Sequence, residues 1–253
     1  MLSTSKEVEP FAVWELTDEA ILIGIKDLED NTGTLRVRNG DEGFENIQQQ
    51  LDDLRRCHQI HREQEIKQLF PILNKKFKQV VAQSSVSESM QIVQTAETSV
   101  QTSIDEAKNG LDKAKMKLLK ASISNLNAEM KKYVAMKGQL IKPLLPQLGD
   151  TDWKRGSWMQ KVLSVRSTDF VDFQLKYVTS TLSRRRKYAV LKRYMEGLKM
   201  SSSSDQYLEY KMVISQAIGP ATWQLLVKDG LDGEGEQPPP PLSLQPCEGC
   251  MIS

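Results

Sequence analysis

What this chain has little of excludes several classes of protein. It has no excess of either charge: 34 Lys and Arg stand against 33 Asp and Glu. A dedicated nucleic-acid binder carries a net basic surface, so that function is set aside. Cysteine is scarce, with Cys57, Cys247 and Cys250 only. Three thiols make no disulfide framework and point to a reducing, cytoplasmic compartment. No apolar run approaches the about 20 residues that a membrane-spanning helix needs. The first ten residues include Glu7 and Glu9 and no apolar stretch, so no signal peptide is expected. A Gly-rich phosphate loop and a Gly-x-Ser-x-Gly elbow are both missing. Cys247 and Cys250 have Cys-x-x-Cys spacing but lie in a Pro-rich tail, without the strand and helix that redox or zinc sites require. The expectation is a chain that is not an enzyme. Histidine is scarcest of all: His58 and His61 are the only two.

Helical periodicity dominates what is there. Leu16, Ala20, Ile21, Ile25 and Leu28 form one stripe of a first helix over Trp14–Leu28, with Thr17 and Asp18 as caps near its start. A loop is expected from Asn31 to Gly43. Phe44, Ile47, Leu51, Leu54, His58, His61, Glu65, Leu69 and Ile72 follow a helix seam, which Pro71 should kink or loosen. After a polar joint over Ser84–Ser89, a third seam reads Met90, Val93, Glu97, Val100, Ile104 and Ala107. Asn109-Gly110 ends it, because both residues tolerate left-handed backbone. Asp112 starts a fourth helix reaching about Leu145, lined by Leu119, Ile123, Leu126, Met130, Tyr133, Lys137, Leu140 and Leu144. Beyond it a short helix is expected over Trp158–Val165 and a longer one from Thr168 through Leu198. A break at Ser201–Ser204 and a final pair over Gln206–Ala217 and Pro220–Val227 complete the pattern. From Asp229 the chain is rich in Gly, Glu and Pro and reads as a disordered tail.

His58, His61 and Glu65 are the strongly polar side chains on the second seam, and His61 and Glu65 lie one turn apart on the same face. Burial of an imidazole and a carboxylate demands a partner for each. A metal is one such partner, since His nitrogen and Glu oxygen suit iron, manganese and zinc. A water or another side chain, fixing register at a bundle end, is the other. The segment His61–Leu73 also aligns without gaps on Tyr133–Leu145, so that Pro71 meets Pro143 and Glu65 meets Lys137.

A helix reading His, three residues, Glu, then Phe-Pro and an apolar pair, found twice, resembles the hemerythrin-like (HHE cation-binding) domain. The resemblance covers about Trp14 to Leu148, and Asp18-Glu-Ala-Ile21 stands where that family usually has a histidine. It implies an all-α fold, an up-down four-helix bundle with additional C-terminal helices. It also implies iron held by histidines and bridging carboxylates from both halves. His61 and Glu65 match ligand positions of the first half; in the second, Tyr133 stands for His and Lys137 for the carboxylate. Glu97 falls where a further histidine would be. An ammonium repels a cation, so the expectation is a bundle without cofactor, with a core ion pair between Glu65 and Lys137. The alternative is a functional iron-binding protein for oxygen or iron handling, whose metal ligands would be His58, His61, Glu65, Glu97 and Tyr133.

The last four residues, Cys250-Met251-Ile252-Ser253, form a prenylation box whose terminal Ser directs farnesyl. One lipid chain anchors reversibly. Cys247 offers a second acylation site, and Arg184–Lys187 with Lys192 and Arg193 offers an electrostatic one. The domain reading is an extension over 1–13, the bundle over 14–148, a helical region over 149–228 and the tail over 229–253. The functional expectation is a non-catalytic, membrane-associated helical scaffold or sensor, peripheral on a membrane through a lipid anchor, with no nucleic-acid partner.

Overall fold

A computed structural model describes residues 11–35, 40–77, 83–110, 112–144, 170–182, 191, 195 and 203–228. These are helical apart from helix ends and short junctions, with no strand among the described residues, and the fold is all-α. The elements are α1 (Phe11–Thr34), α2 (Gly40–Gln64), a π-helical turn (Glu65–Leu69) and α3 (Phe70–Phe77). Then come α4 (Gln83–Lys108), α5 (Lys113–Ile141), a second π segment (Phe170–Leu175), α6 (Lys176–Thr181), α7 (Ser204–Ile218) and α8 (Pro220–Lys228). No helix among the described residues is long and apolar enough to cross a membrane.

The four long helices form a helical bundle: α1 packs on α2 and α5, and α4 packs on α5 and α2. The expected stripes face inward. Ala20, Ile21, Ile25 and Leu28 of α1 are wholly buried, as are Leu51 of α2, Val93 and Val100 of α4, and Leu119, Ile123 and Leu126 of α5. Burial of the Val, Leu and Ile side chains contributes about 1.5–3 kcal/mol each and is what holds the helices together.

Helix ends differ from the expectation where packing outweighs local signals. α1 runs through Gly33, and α2 already begins at Gly40, so the loop is shorter than Asn31–Gly43. Thr17 and Asp18 are not caps: α1 starts at Phe11 and both are buried in its interior. The serine-rich joint at 84–89 belongs to α4, because Val86 and Met90, one turn apart, extend the buried stripe into it. By contrast, the α4–α5 junction forms as its chemistry dictates. Gly110 has φ +122°, and the Asp112 carboxylate accepts from Lys115 N–H at 2.8 Å, satisfying one of the free amides of the first turn.

Pro71 acts through the π turn. In an α-helix its ring would meet the carbonyl four residues back, and its missing N–H would leave that carbonyl unpaired. The wider turn, in which Phe70 N–H reaches Glu65 O, relieves this at the expense of one inserted residue. Phase shifts accordingly: the buried positions run Glu65, Leu69, Leu73, and the core takes Leu73 at the position where the regular seam had Ile72. At the end of α5 a similar drift buries Ile141, with Leu140 and Leu144 half-buried.

The second π segment packs on α2 and α6 on α1, while α7 packs on these two elements and α8 on α7. The Arg56 guanidinium lies 4.2 Å over the Phe173 ring, and Gln64 and Gln174 exchange amide hydrogen bonds at 2.9 and 3.2 Å. The single long helix expected from Thr168 is broken at Leu182, whose ψ of 148° is extended. α7 and α8 meet at Gly219, with φ +82°. The helix expected over Trp158–Val165, the basic residues at 184–187, 192 and 193, and the tail with Cys247 and Cys250 lie outside the described residues.

Candidate functional site

The bundle core contains a ring of polar side chains contributed by all four long helices and the π turn. His58 and His61 come from the last turns of α2, and Glu65 is the first residue of the π turn, on the same face. Tyr133 and Lys137 lie one turn apart on α5, Asp18 comes from α1 and Glu97 from α4. All seven are buried; Glu65 is 0% exposed, Lys137 1%, His61 2% and Asp18 4%.

Lys137 is the hub. Its ammonium donates to Asp18 Oδ1 at 2.7 Å and, closer still, to Glu65 Oε1. His61 Nε2 lies 3.0 Å from Asp18 Oδ1, 3.3 Å from Glu65 Oε1 and 3.5 Å from the Lys137 nitrogen. The Tyr133 hydroxyl donates to the other Glu65 oxygen, Oε2, at 2.6 Å. One turn away, His58 Nδ1 donates to Glu97 Oε1 at 2.8 Å. Its Nε2 finds no hydrogen-bond partner among the described residues, and its ring meets the Tyr133 ring edge-on at 6.5 Å between centroids.

The electrostatics follow from this geometry. Burial by itself would raise the Asp18 carboxyl's pKa; the Lys137 ammonium, with help from His61, overcomes it and brings the value down to about 2. For Lys137 burial works the other way, against the ammonium, and the Asp18 and Glu65 carboxylates outweigh it, so its pKa is raised above the ordinary 10.5. Burial first, and Glu65 second, push the Tyr133 hydroxyl up, keeping it a donor. Burial likewise raises Cys57, leaving its thiol protonated and unreactive.

The candidate residues therefore divide. Glu65 and Lys137 are in contact, but Lys137 is shared: Asp18 is its second anion, a role that sequence reading missed. The available signal was Asp18's place on the first helix, where the resemblance puts a histidine. His61, Glu65 and Asp18 are the group among the described residues that could hold a metal, their donor atoms lying within 4.8 Å of one another. Tyr133 supports Glu65, while His58 and Glu97 pair with each other. This donor set does not fit a di-iron centre. The histidine donors are two, His58 is turned onto Glu97, and the side of the triad that a metal would face is taken by a cation fixed to α5.

A cavity of about 540 Å³ opens beside the site. Asp18 and Lys137 line it together with Val134, Gly138 and Pro143, and Lys142 bonds Glu15 at 2.7 Å. Compared with known proteins, the chain matches no family model, no curated protein and no solved structure.

Proposed function

We propose that the chain is a non-catalytic helical scaffold or sensor. In this reading it is a degenerate hemerythrin-like, up-down four-helix bundle in which an ammonium stands where the family holds iron. The observation that carries the reading is Lys137, buried between Asp18 and Glu65 on the face of the triad that a metal would need. The closed circuit of packing among α1, α2, α4 and α5 supports the bundle topology. So does the equal burial of the aligned pairs His61 and Tyr133, Glu65 and Lys137, Leu69 and Ile141.

Function then lies on surfaces and in location. Farnesylation of Cys250 in the Cys-Met-Ile-Ser box, with Cys247 as a second acylation site, takes the bundle to a membrane surface. The competing reading, an iron protein for oxygen or iron handling, draws on the same Asp18–His61–Glu65 triad; the resident ammonium tells against it.

Two measurements test the proposal. Protein from iron-replete cells should carry substoichiometric iron by elemental analysis; a full iron per chain would reverse the reading. In eukaryotic cells an isoprenoid label should appear on the wild type and vanish in Cys250→Ser, which should also leave the membrane fraction. Unlabelled, wholly soluble wild-type protein would remove the membrane part.

A further inference from the structure

The polar ring is asymmetric in who supplies it. Asp18, His61 and Glu65 offer two carboxylate oxygens and one imidazole nitrogen from α1, α2 and the π turn. Lys137 alone reaches in from α5 to their common side. Donors bound to one zinc-like ion at about 2.1 Å stand about 3.0–3.4 Å apart at octahedral to tetrahedral angles. His61 Nε2 is 3.0 Å from Asp18 Oδ1 and 3.3 Å from Glu65 Oε1. Both spacings from the imidazole are thus those of a coordination sphere, the three donors all lie within 4.8 Å of one another, and the Tyr133 hydroxyl bonds the remote Glu65 oxygen in the way outer partners orient metal ligands.

We propose that metal exclusion in this chain is the property of one side chain: Lys137 is a tethered cation closing a mononuclear site for a divalent first-row ion built from Asp18, His61 and Glu65. The inference rests on reading the wild type as metal-free. The two carboxylates call for positive charge, and the ammonium delivers it without regard to metal supply, so the fold withstands chelation. Removing the side chain back to its β-carbon leaves room beside the 540 Å³ cavity that Lys137 and Asp18 line, a route for the ion and its remaining water ligands. One oxygen-rich, single-nitrogen set suits iron(II), cobalt(II) and zinc(II).

The test uses the full chain with Lys137→Ala and cobalt(II) as a spectroscopic probe. The variant should bind one cobalt per chain, visible as d–d absorption. Adding Asp18→Asn should weaken binding at least tenfold. Cobalt should raise the variant's Tm and chelator should lower it, while wild-type Tm moves with neither. Should the variant be unfolded alone, it is refolded from urea with and without cobalt and followed by circular dichroism. Recovery of helix with cobalt supports the proposal, and no recovery overturns it. A folded Lys137→Ala chain that binds no cobalt also overturns it and leaves the metal-free reading standing. Iron in the purified wild type would instead sink that reading.

Discussion

At the scale of the residue, a buried charge is tolerated only while every partner is present. Lys137 serves two carboxylates, so Lys137→Met strands both Asp18 and Glu65 in the core. Removing one member of a buried ion pair costs about 3–5 kcal/mol, and this variant should lie at the upper end of that range in urea unfolding. Adding Glu65→Gln and Asp18→Asn should recover a large part of the loss, since polar amides need no counter-charge. If the triple variant is no more stable than the single one, the ion network is not what Lys137 contributes. The sequence made half of this network legible. The gap-free match of the two helix ends puts Glu65 and Lys137 at one depth, and helix periodicity turns both inward. Asp18 escaped because an acidic residue near a predicted helix start reads as a cap, and only three-dimensional packing shows that α1 begins seven residues earlier.

At the scale of the element, the stripes of α1, α2, α4 and α5 were readable from spacing because each helix buries one face against the same core. Ends and phase were less so. The π turn at Glu65–Leu69 shifts the buried register by one residue, a shift that Pro71 foretells in kind but not in place. The contact between α1 and α6 was not readable at all, since it joins residues far apart in the chain. Gly24 permits it: a Cβ there would lie 2.0 Å from the Tyr177 hydroxyl oxygen and 3.2 Å from Leu54 Cδ1. Tyr177 is a rigid ring stacked on Phe173, so it yields poorly. Gly24→Ala should destabilise by about 1–3 kcal/mol, as overpacking does. Tyr177→Phe removes the clashing oxygen, so the double variant should lose less than the sum of the two single changes. Strict additivity would show that the hydroxyl is not the obstacle.

For the whole molecule, the shifted groups set the pH range over which it holds. Asp18 is brought from an ordinary 3.8 to about 2, so its contribution, about 2 kcal/mol, is complete above pH 4 and disappears as the pH falls towards 2. At the alkaline end Cys57, Tyr133, Tyr177 and Lys137 are all raised, from ordinary values of 9.0, 10.0, 10.0 and 10.5. Groups raised in the folded chain contribute fully below their unfolded values, and that contribution drains away as the pH climbs past them. Urea midpoints should therefore be level from about pH 5 to 8 and fall on both sides, more steeply above pH 9, where several groups act together. A midpoint that holds through pH 11 would contradict the burial of these groups. The same polar ring also governs how the molecule opens. Asp18, His61 and Lys137 bond across α1, α2 and α5, and His58 of α2 bonds Glu97 of α4, so no long helix can peel away without carrying an unpaired polar group out of, or leaving one within, the buried core. Partial opening is penalised along every route, and amide protons at the centre of all four helices should exchange with solvent at one common free energy, as a single cooperative unit.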